Sequence, residues 1–126
     1  KKIKFFGSLK EDKLVSFYKE LDLYIQASTS EGSSISVLEA FNYGIPVLAS
    51  NVSGLKNFIN KKNYIGSLFK NKKYDLAKHI LSFYNMKKEI RQKYRRNQKN
   101  YFLEHNNSSV MYYKYSALLN KIIKLS

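Results

Sequence analysis

Cysteine and tryptophan are absent from this chain, proline occurs once, and two histidines and nine acidic residues stand against twenty-three basic ones. Without cysteine there is neither a disulfide framework nor a thiolate metal site. His79 and His105 lie far apart on segments of helical periodicity, with no ligand partner at metal-binding spacing, and read as surface or packing residues. No apolar run reaches the roughly 18 residues a membrane-spanning helix needs, and no leader-like segment precedes Ile3, so a cytoplasmic location is the expectation. The patterns G-x-x-x-x-G-K, G-x-G-x-x-G and G-x-S-x-G are missing, which removes support for a P-loop, a dinucleotide fingerprint and a hydrolase elbow. Repeats, low-complexity tracts and Pro/Gly-rich linkers are missing too. A length of 126 residues then supports one domain around one core.

What is present centres on Glu31 and Glu39, in the run Ser28-Thr29-Ser30-Glu31-Gly32-Ser33-Ser34-Ile35-Ser36-Val37-Leu38-Glu39-Ala40. The preceding Leu23-Tyr24-Ile25-Gln26-Ala27 is short, apolar and bounded by small polar residues, as a buried parallel strand is. The following segment is amphipathic and stops at Gly44. One carboxylate thus falls in a strand-to-helix loop and the other in the first turns of the helix, at the carboxyl edge of a sheet, where open α/β folds bind ligands. Helix-start amides suit a phosphate, and two carboxylates beside them suit the hydroxyls of a sugar or ribose. Ser36-Val37-Leu38-Glu39 equally fits a capping box, in which Ser36 and Glu39 only satisfy backbone donors. Ser28, Thr29 and Ser30 have no nearby histidine and read as loop caps, not nucleophiles.

The stretch Ser28-x-x-Glu31-Gly32, the E-x7-E pair, Leu38-Glu39-Ala40 and Gly44-Ile45-Pro46-Val47-Leu48-Ala49-Ser50 together closely resemble the signature of group 1 (family 4) retaining glycosyltransferases of the GT-B fold. Phe5-Phe6-Gly7 and Asn63-Tyr64-Ile65-Gly66-Ser67-Leu68 resemble the same family's turns on either side. The resemblance covers nearly the whole chain, with the carboxy-terminal third similar only as generic helices. It implies the donor-binding half of such an enzyme, residues 1 to 126 being a Rossmann-like nucleotide-sugar-binding domain. The first strand of that half, the family's upstream Arg and Lys and the acceptor-binding half would lie outside the chain, leaving it inactive alone.

By the same resemblance Glu31 would lie against the transferred sugar as the catalytic-site carboxylate. Gly32, Ser33 and Ser34 would present backbone amides to sugar or phosphate. Ser36 would belong to the donor site, the amides of Val37 and Leu38 would face the diphosphate, and Glu39 would hold the ribose hydroxyls. No D-x-D pair occurs, so a metal-bridged diphosphate is not expected, and the nucleotide sugar is a substrate with no cofactor or metal beside it. Ser33-Ser34 stand where members of the family often have an aromatic residue and then Gly or Pro, and Asn57 where many have Glu. Donor identity is not readable from these departures. A non-catalytic nucleotide-sugar-binding module and a basic surface scaffold whose carboxylates are only caps are the alternatives of other classes.

The pattern predicts strands over Ile3–Phe6, Leu21–Ala27, Pro46–Ala49 and Ile65–Phe69, with helices over Lys10–Glu20, Ile35–Tyr43 and Gly54–Ile59 between them. Helices follow from Lys73. This is the alternation of a doubly wound parallel sheet with helices on both faces and a helical carboxy-terminal region. Leu76, Ile80, Phe83 and Tyr84 are expected on one face, and Met111, Tyr115, Leu118, Ile122 and Leu125 as an apolar packing stripe.

Charge is uneven along the chain. Residues 1 to 69 carry 9 basic and 6 acidic side chains, a net +3, while residues 70 to 126 carry 14 and 3, a net +11. Lys87, Lys88, Arg91, Lys93, Arg95, Arg96 and Lys99 crowd one stretch interleaved with Tyr94, Tyr101 and Phe102. That mixture suits an anionic membrane surface, and with it a lipid-linked acceptor. Nucleic acid is a weaker fit, since no nucleic-acid motif accompanies the charge. Lysine outnumbers arginine 20 to 3 in a chain rich in Asn, Ile and Tyr, so AT-rich coding on a solvated helix accounts for the same charge.

Overall fold

A computed structural model describes residues 3–124, and within them an α/β arrangement built on a three-stranded parallel sheet. Helix α1 (Glu11–Glu20) precedes strand β1 (Tyr24–Gln26), α2 (Ile35–Asn42) joins it to β2 (Val47–Ser50), and α3 (Ser53–Lys56) with a 3-10 turn at Lys61–Asn63 leads to β3 (Ser67–Phe69). Three helices close the chain: α4 (Lys73–Tyr84), α5 (Lys88–His105) and α6 (Ser108–Ile123). Strand order is β1-β2-β3, in the register Tyr24 with Val47 and Gln26 with Ala49, then Leu48 with Ser67 and Ser50 with Phe69. Every residue of β2 is buried, as the middle strand of a covered parallel sheet must be.

Helix α2 lays Val37, Ala40 and Phe41 into the core with Tyr18, Ile45, Val47, Ala49, Leu55 and Ile59. Burying a side chain the size of Val37 or Phe41 contributes about 1.5–3 kcal/mol. The helix ends in a Schellman motif: the Ile45 amide donates to the Ala40 carbonyl at 2.8 Å and the Gly44 amide to that of Phe41 at 2.9 Å, with Gly44 at φ +65. A Cβ at Gly44 would also stand 3.2 Å from the Arg95 carbonyl of α5, so the turn and the helix packing both require glycine.

Helix α5 reaches the sheet through Gln98, which is fully buried. Its Oε1 accepts from the amides of Val47 at 3.3 Å and Gly66 at 3.0 Å, and its Nε2 donates to the Ile45 carbonyl. One side-chain amide therefore satisfies backbone groups at the amino ends of both β2 and β3. Tyr94, one turn earlier, shares a hydrogen bond of 3.2 Å with Ser67 and meets Tyr64 edge to face.

Several expectations need correction. Ile3–Phe6 forms no strand: Ile3 and Phe5 are 80% and 95% exposed, and the segment has no neighbouring strand to pair with among the described residues. The expected strand Leu21–Ala27 is shortened to Tyr24–Gln26 because α1 is still closing there, the Leu21 amide donating to the Tyr18 carbonyl. Ile65–Phe69 starts only at Ser67, since Tyr64 and Gly66 take positive φ values of 58° and 69° that no strand accommodates. The short helix expected over Gly54–Ile59 is Ser53–Lys56. On α4 Leu76, His79 and Phe83 are half-buried while Ile80 and Tyr84 are exposed, and no residue of the helix is buried.

The apolar stripe of α6 does not pack. Met111, Tyr115, Leu118 and Ile122 are all more than half exposed, because α6 rests chiefly on α5 alone, and Leu125 lies outside the described residues. The aromatic residues interleaved with the basic stretch of α5 turn inward: Tyr94 is buried, and Tyr101 stacks on Phe58 and His105. Lys88, Lys93, Arg95, Arg96 and Lys99 remain exposed on its outer surface, alongside Glu89 and Glu104.

Gln98→Leu keeps most of the volume but strands two buried amides and a carbonyl. Loss of that many partners should cost about 3 kcal/mol or more. Denaturant unfolding measures it, and a loss below about 1 kcal/mol would remove Gln98 from this role.

Candidate functional site

The three strands end at one edge, and a hydrogen-bonded cluster ties their exits together. Ser50, the fully buried last residue of β2, accepts from the Ser28 amide at 2.9 Å and donates to Asn71 Oδ1 at 2.7 Å, with the Gln26 carbonyl a longer alternative at 3.3 Å. Asn71, just past β3, returns its amide to the Ser28 carbonyl at 2.7 Å. The loop from Ser28 to Ser34 is thereby fixed to the carboxyl edge of the sheet before α2 begins.

Glu31 is held within that loop. Its Oε1 accepts from Gln26 Nε2 at 2.8 Å and from Ser28 Oγ at 2.7 Å, charge-assisted bonds that leave Oε2 outside the pair. Gln26 is itself oriented by Tyr24, whose hydroxyl donates to Gln26 Oε1 at 2.7 Å. The loop backbone is clamped from α3: the Gly54 amide donates to the Glu31 carbonyl at 3.1 Å, and a Cβ on Gly54 would lie 2.1 Å from that oxygen and 2.4 Å from the Gly32 carbonyl. An open cleft follows, lined by Glu31, Gly32, Ser53, Gly54, Lys56 and Asn57.

Glu39 lies on α2 and faces α1. Its Oε2 accepts from the Tyr18 hydroxyl at 2.9 Å. Burial first, and then the bond to Glu39, raise the Tyr18 phenol well above its usual range. Tyr24 is raised too, chiefly by burial, with Glu39 and then Glu31 adding to the effect. The Tyr24 hydroxyl itself is spent on Gln26, and its ring lies 6.1 Å from that of Tyr18.

The capping-box alternative fails on geometry. The N-cap is Ser34, 3% exposed, whose Oγ accepts from the Val37 amide at 3.4 Å, so Ser36 lies inside the helix and Glu39 caps nothing. The amides of Val37 and Leu38 are engaged within the helix, the latter donating to the Ser34 carbonyl at 3.2 Å. The helix-start amides without an intrahelical acceptor are instead those of Ile35 and Ser36. Gly32 and Ser33 are exposed in the loop beside Glu31.

Tyr18, Gln26, Ser50, Gly54, Lys56 and Asn71 belong to this edge without having been singled out from the sequence. Gln26 and Ser50 end the first two strands and Asn71 lies just past the third, and that placement is the signal that points to them. Nothing in the amphipathic pattern of α1 says where the Tyr18 hydroxyl goes. His79 bonds the Asp75 carbonyl of its own helix and His105 stacks on Tyr101, and no group of three or more metal-ligating side chains occurs among the described residues.

A family model described as glycosyl transferases group 1 matches residues 1–101. The chain belongs to that family. This group 1 glycosyltransferase chain is 43% identical over 49 residues to protein CapJ of Staphylococcus aureus, which is 39% of the chain and 12% of that protein. It is 36% identical over 77 residues to alpha-monoglucosyldiacylglycerol synthase of Streptococcus pneumoniae, 61% of the chain and 17% of that protein.

Among solved structures it superposes on sucrose-phosphate synthase from Thermosynechococcus elongatus with a TM-score of 0.85 at 20% identity, over 98% of this chain and 31% of that one. On Anabaena HepE in complex with UDP the TM-score is 0.76 at 18% identity, over 83% and 29%. The fold is thus that of the Rossmann-like carboxy-terminal domains of GT-B glycosyltransferases. The chain spans less than a fifth of the two relatives it matches in sequence.

Gly54→Ala should destabilise the domain by about 3 kcal/mol, as overpacking against backbone does. Gly32, where an added Cβ meets nothing within 4 Å, should tolerate Ala with a loss under about 1 kcal/mol. Urea unfolding of the two variants checks the contrast, and equal losses would contradict it.

Proposed function

We propose that this chain is the donor-binding domain of a retaining glycosyltransferase of hexosyltransferase type, taking a sugar from a nucleotide-sugar donor. The observation that carries the reading is the state of Glu39: a side chain in the second turn of α2, excused from capping by Ser34 and held through one oxygen by Tyr18, on the helix that the Glu31 loop leads into. A carboxylate so placed accepts the hydroxyls of a ribose. Glu31, with one oxygen held by Gln26 and Ser28, offers the other toward the cleft that also contains Gly32, Lys56 and Asn57, where the transferred sugar is placed. Amides of the Gly32–Ser36 segment stabilise diphosphate charge at the helix start, and the positive end of α2 adds to this. The UDP bound by the structural relative HepE supports a nucleotide ligand of this kind.

Because the chain spans 31% of the sucrose-phosphate synthase it superposes on, the acceptor site and the remaining charge stabilisation of the departing diphosphate are assigned to polypeptide outside it. In the protein at its natural length, Glu39→Gln should weaken binding of a nucleoside diphosphate about tenfold, the loss expected for a charged hydrogen bond, with melting temperature little changed. Calorimetric titration of UDP, GDP and ADP measures this. Unchanged affinity for whichever nucleotide binds the parent protein would sink the reading.

A lipid acceptor at an anionic bilayer is the companion proposal. It is favoured by the lysines and arginines left outward on α5 and by the diacylglycerol in the name of the S. pneumoniae relative. Each such cation contributes about 1 kcal/mol near a charged membrane, screened over about 8 Å at physiological salt. The protein should sediment with anionic vesicles at low salt and be released at high salt. Equal recovery on neutral vesicles would return the charge to a solvated helix.

A further inference from the structure

We propose that Tyr18 is a positioning residue for nucleotide binding, a buried donor on α1 that fixes the Glu39 carboxylate so that one of its oxygens is presented to a ribose. The inference rests on the donor-site reading above and adds the group that orients its ribose acceptor. Tyr18 is 4% exposed, and its ring is clamped on three sides: stacked on Tyr43 at 5.4 Å and 9°, edge-on to Phe17 at 5.7 Å, and tilted against Tyr24 at 6.1 Å. A ring so held has one place to put its hydroxyl. That place is 2.9 Å from Glu39 Oε2, with the Ser36 carbonyl farther off at 3.4 Å.

Glutamate has three side-chain torsions, and an unheld carboxylate on a helix samples many orientations. Anchoring Oε2 removes that freedom before the ligand arrives, so less is lost when the ligand binds. Oε1 takes no part in this bond and is the oxygen left for a hydroxyl donor. A phenol keeps its proton at neutral pH, so Tyr18 has an O–H to give to the carboxylate oxygen. The network that holds Glu31 runs through Gln26 and Ser28, so each carboxylate has its own support.

Tyr18→Phe in the protein at its natural length separates this role from mere packing, since the ring stays and only the hydroxyl goes. UDP, GDP or ADP, whichever binds the parent protein, and its 2′-deoxy counterpart are titrated into parent, Tyr18→Phe, Glu39→Gln and the double variant. The expected result is a loss of about threefold to tenfold for the ribonucleotide on Tyr18→Phe, a smaller loss for the deoxynucleotide, and no further loss when Tyr18→Phe is added to Glu39→Gln. The ratio of the two affinities on one variant is independent of the folded fraction, so it stays readable if Tyr18→Phe is less stable. Equal losses for both nucleotides, or no loss, would overturn the inference while leaving the donor-site reading intact. Unchanged binding by Glu39→Gln would overturn both.

Discussion

The buried amide of Gln98 is the contact on which the sheet depends. Parallel strands joined by helices expose backbone groups at their amino ends, where the chain arrives from a turn and no neighbouring strand is yet in register. Here Ile45, Val47 and Gly66 all meet that problem within reach of one side chain, and α5 supplies it. Glycine at position 44 is the complement of that arrangement, because its positive φ closes the turn and α5 approaches so closely that the Arg95 carbonyl would stand 3.2 Å from a Cβ. A polar group inside the core is thus what aligns β2 with β3. At the far end of the same strands, that alignment brings Ser50 beside Ser28 and Asn71.

Polar chemistry is divided between the two edges of the sheet according to what each must do. At the amino edge the Gln98 side chain is spent on backbone, its oxygen on two amides and its nitrogen on a carbonyl. At the carboxyl edge Glu31 and Glu39 each have one oxygen tied by a neighbour and one outside those bonds. Carboxylates with an oxygen to spare, on the loop and helix that follow β1, form a receptive surface, while the buried amide opposite serves the sheet. Both edges are served by strands only three or four residues long, so little distance separates rigidity from reception.

Much of this was legible in residue order. Alternation of short apolar runs with amphipathic segments gave the parallel sheet, and Gly44 before Ile45-Pro46 marked where α2 must stop. The E-x7-E pair located the carboxyl edge. Ile3–Phe6 was misread because a strand is a pairwise object: its apolar residues were visible, and the absence of a partner was not. The α6 stripe failed for a similar reason, since amphipathicity states that a helix can pack and not what it packs on. Ser36 and Glu39 matched a capping box in spacing, yet Ser34, two residues earlier, reached the Val37 amide first. The Tyr18 hydroxyl was invisible because tyrosine in an apolar stripe is chosen for its ring, and the partner of its oxygen is set by tertiary contact.

Helix α6 divides the chain into two regimes of local stability. Resting chiefly on α5, with its apolar side chains mostly in water, it has little tertiary burial to offset the entropy of ordering sixteen residues. Its opening free energy therefore sits near the bottom of the molecule's range, whereas α2, β2 and the Gln98 region open only with the whole. In the described chain such a helix is expected to open first, with amide exchange reaching it before the sheet edge that carries Glu31 and Glu39.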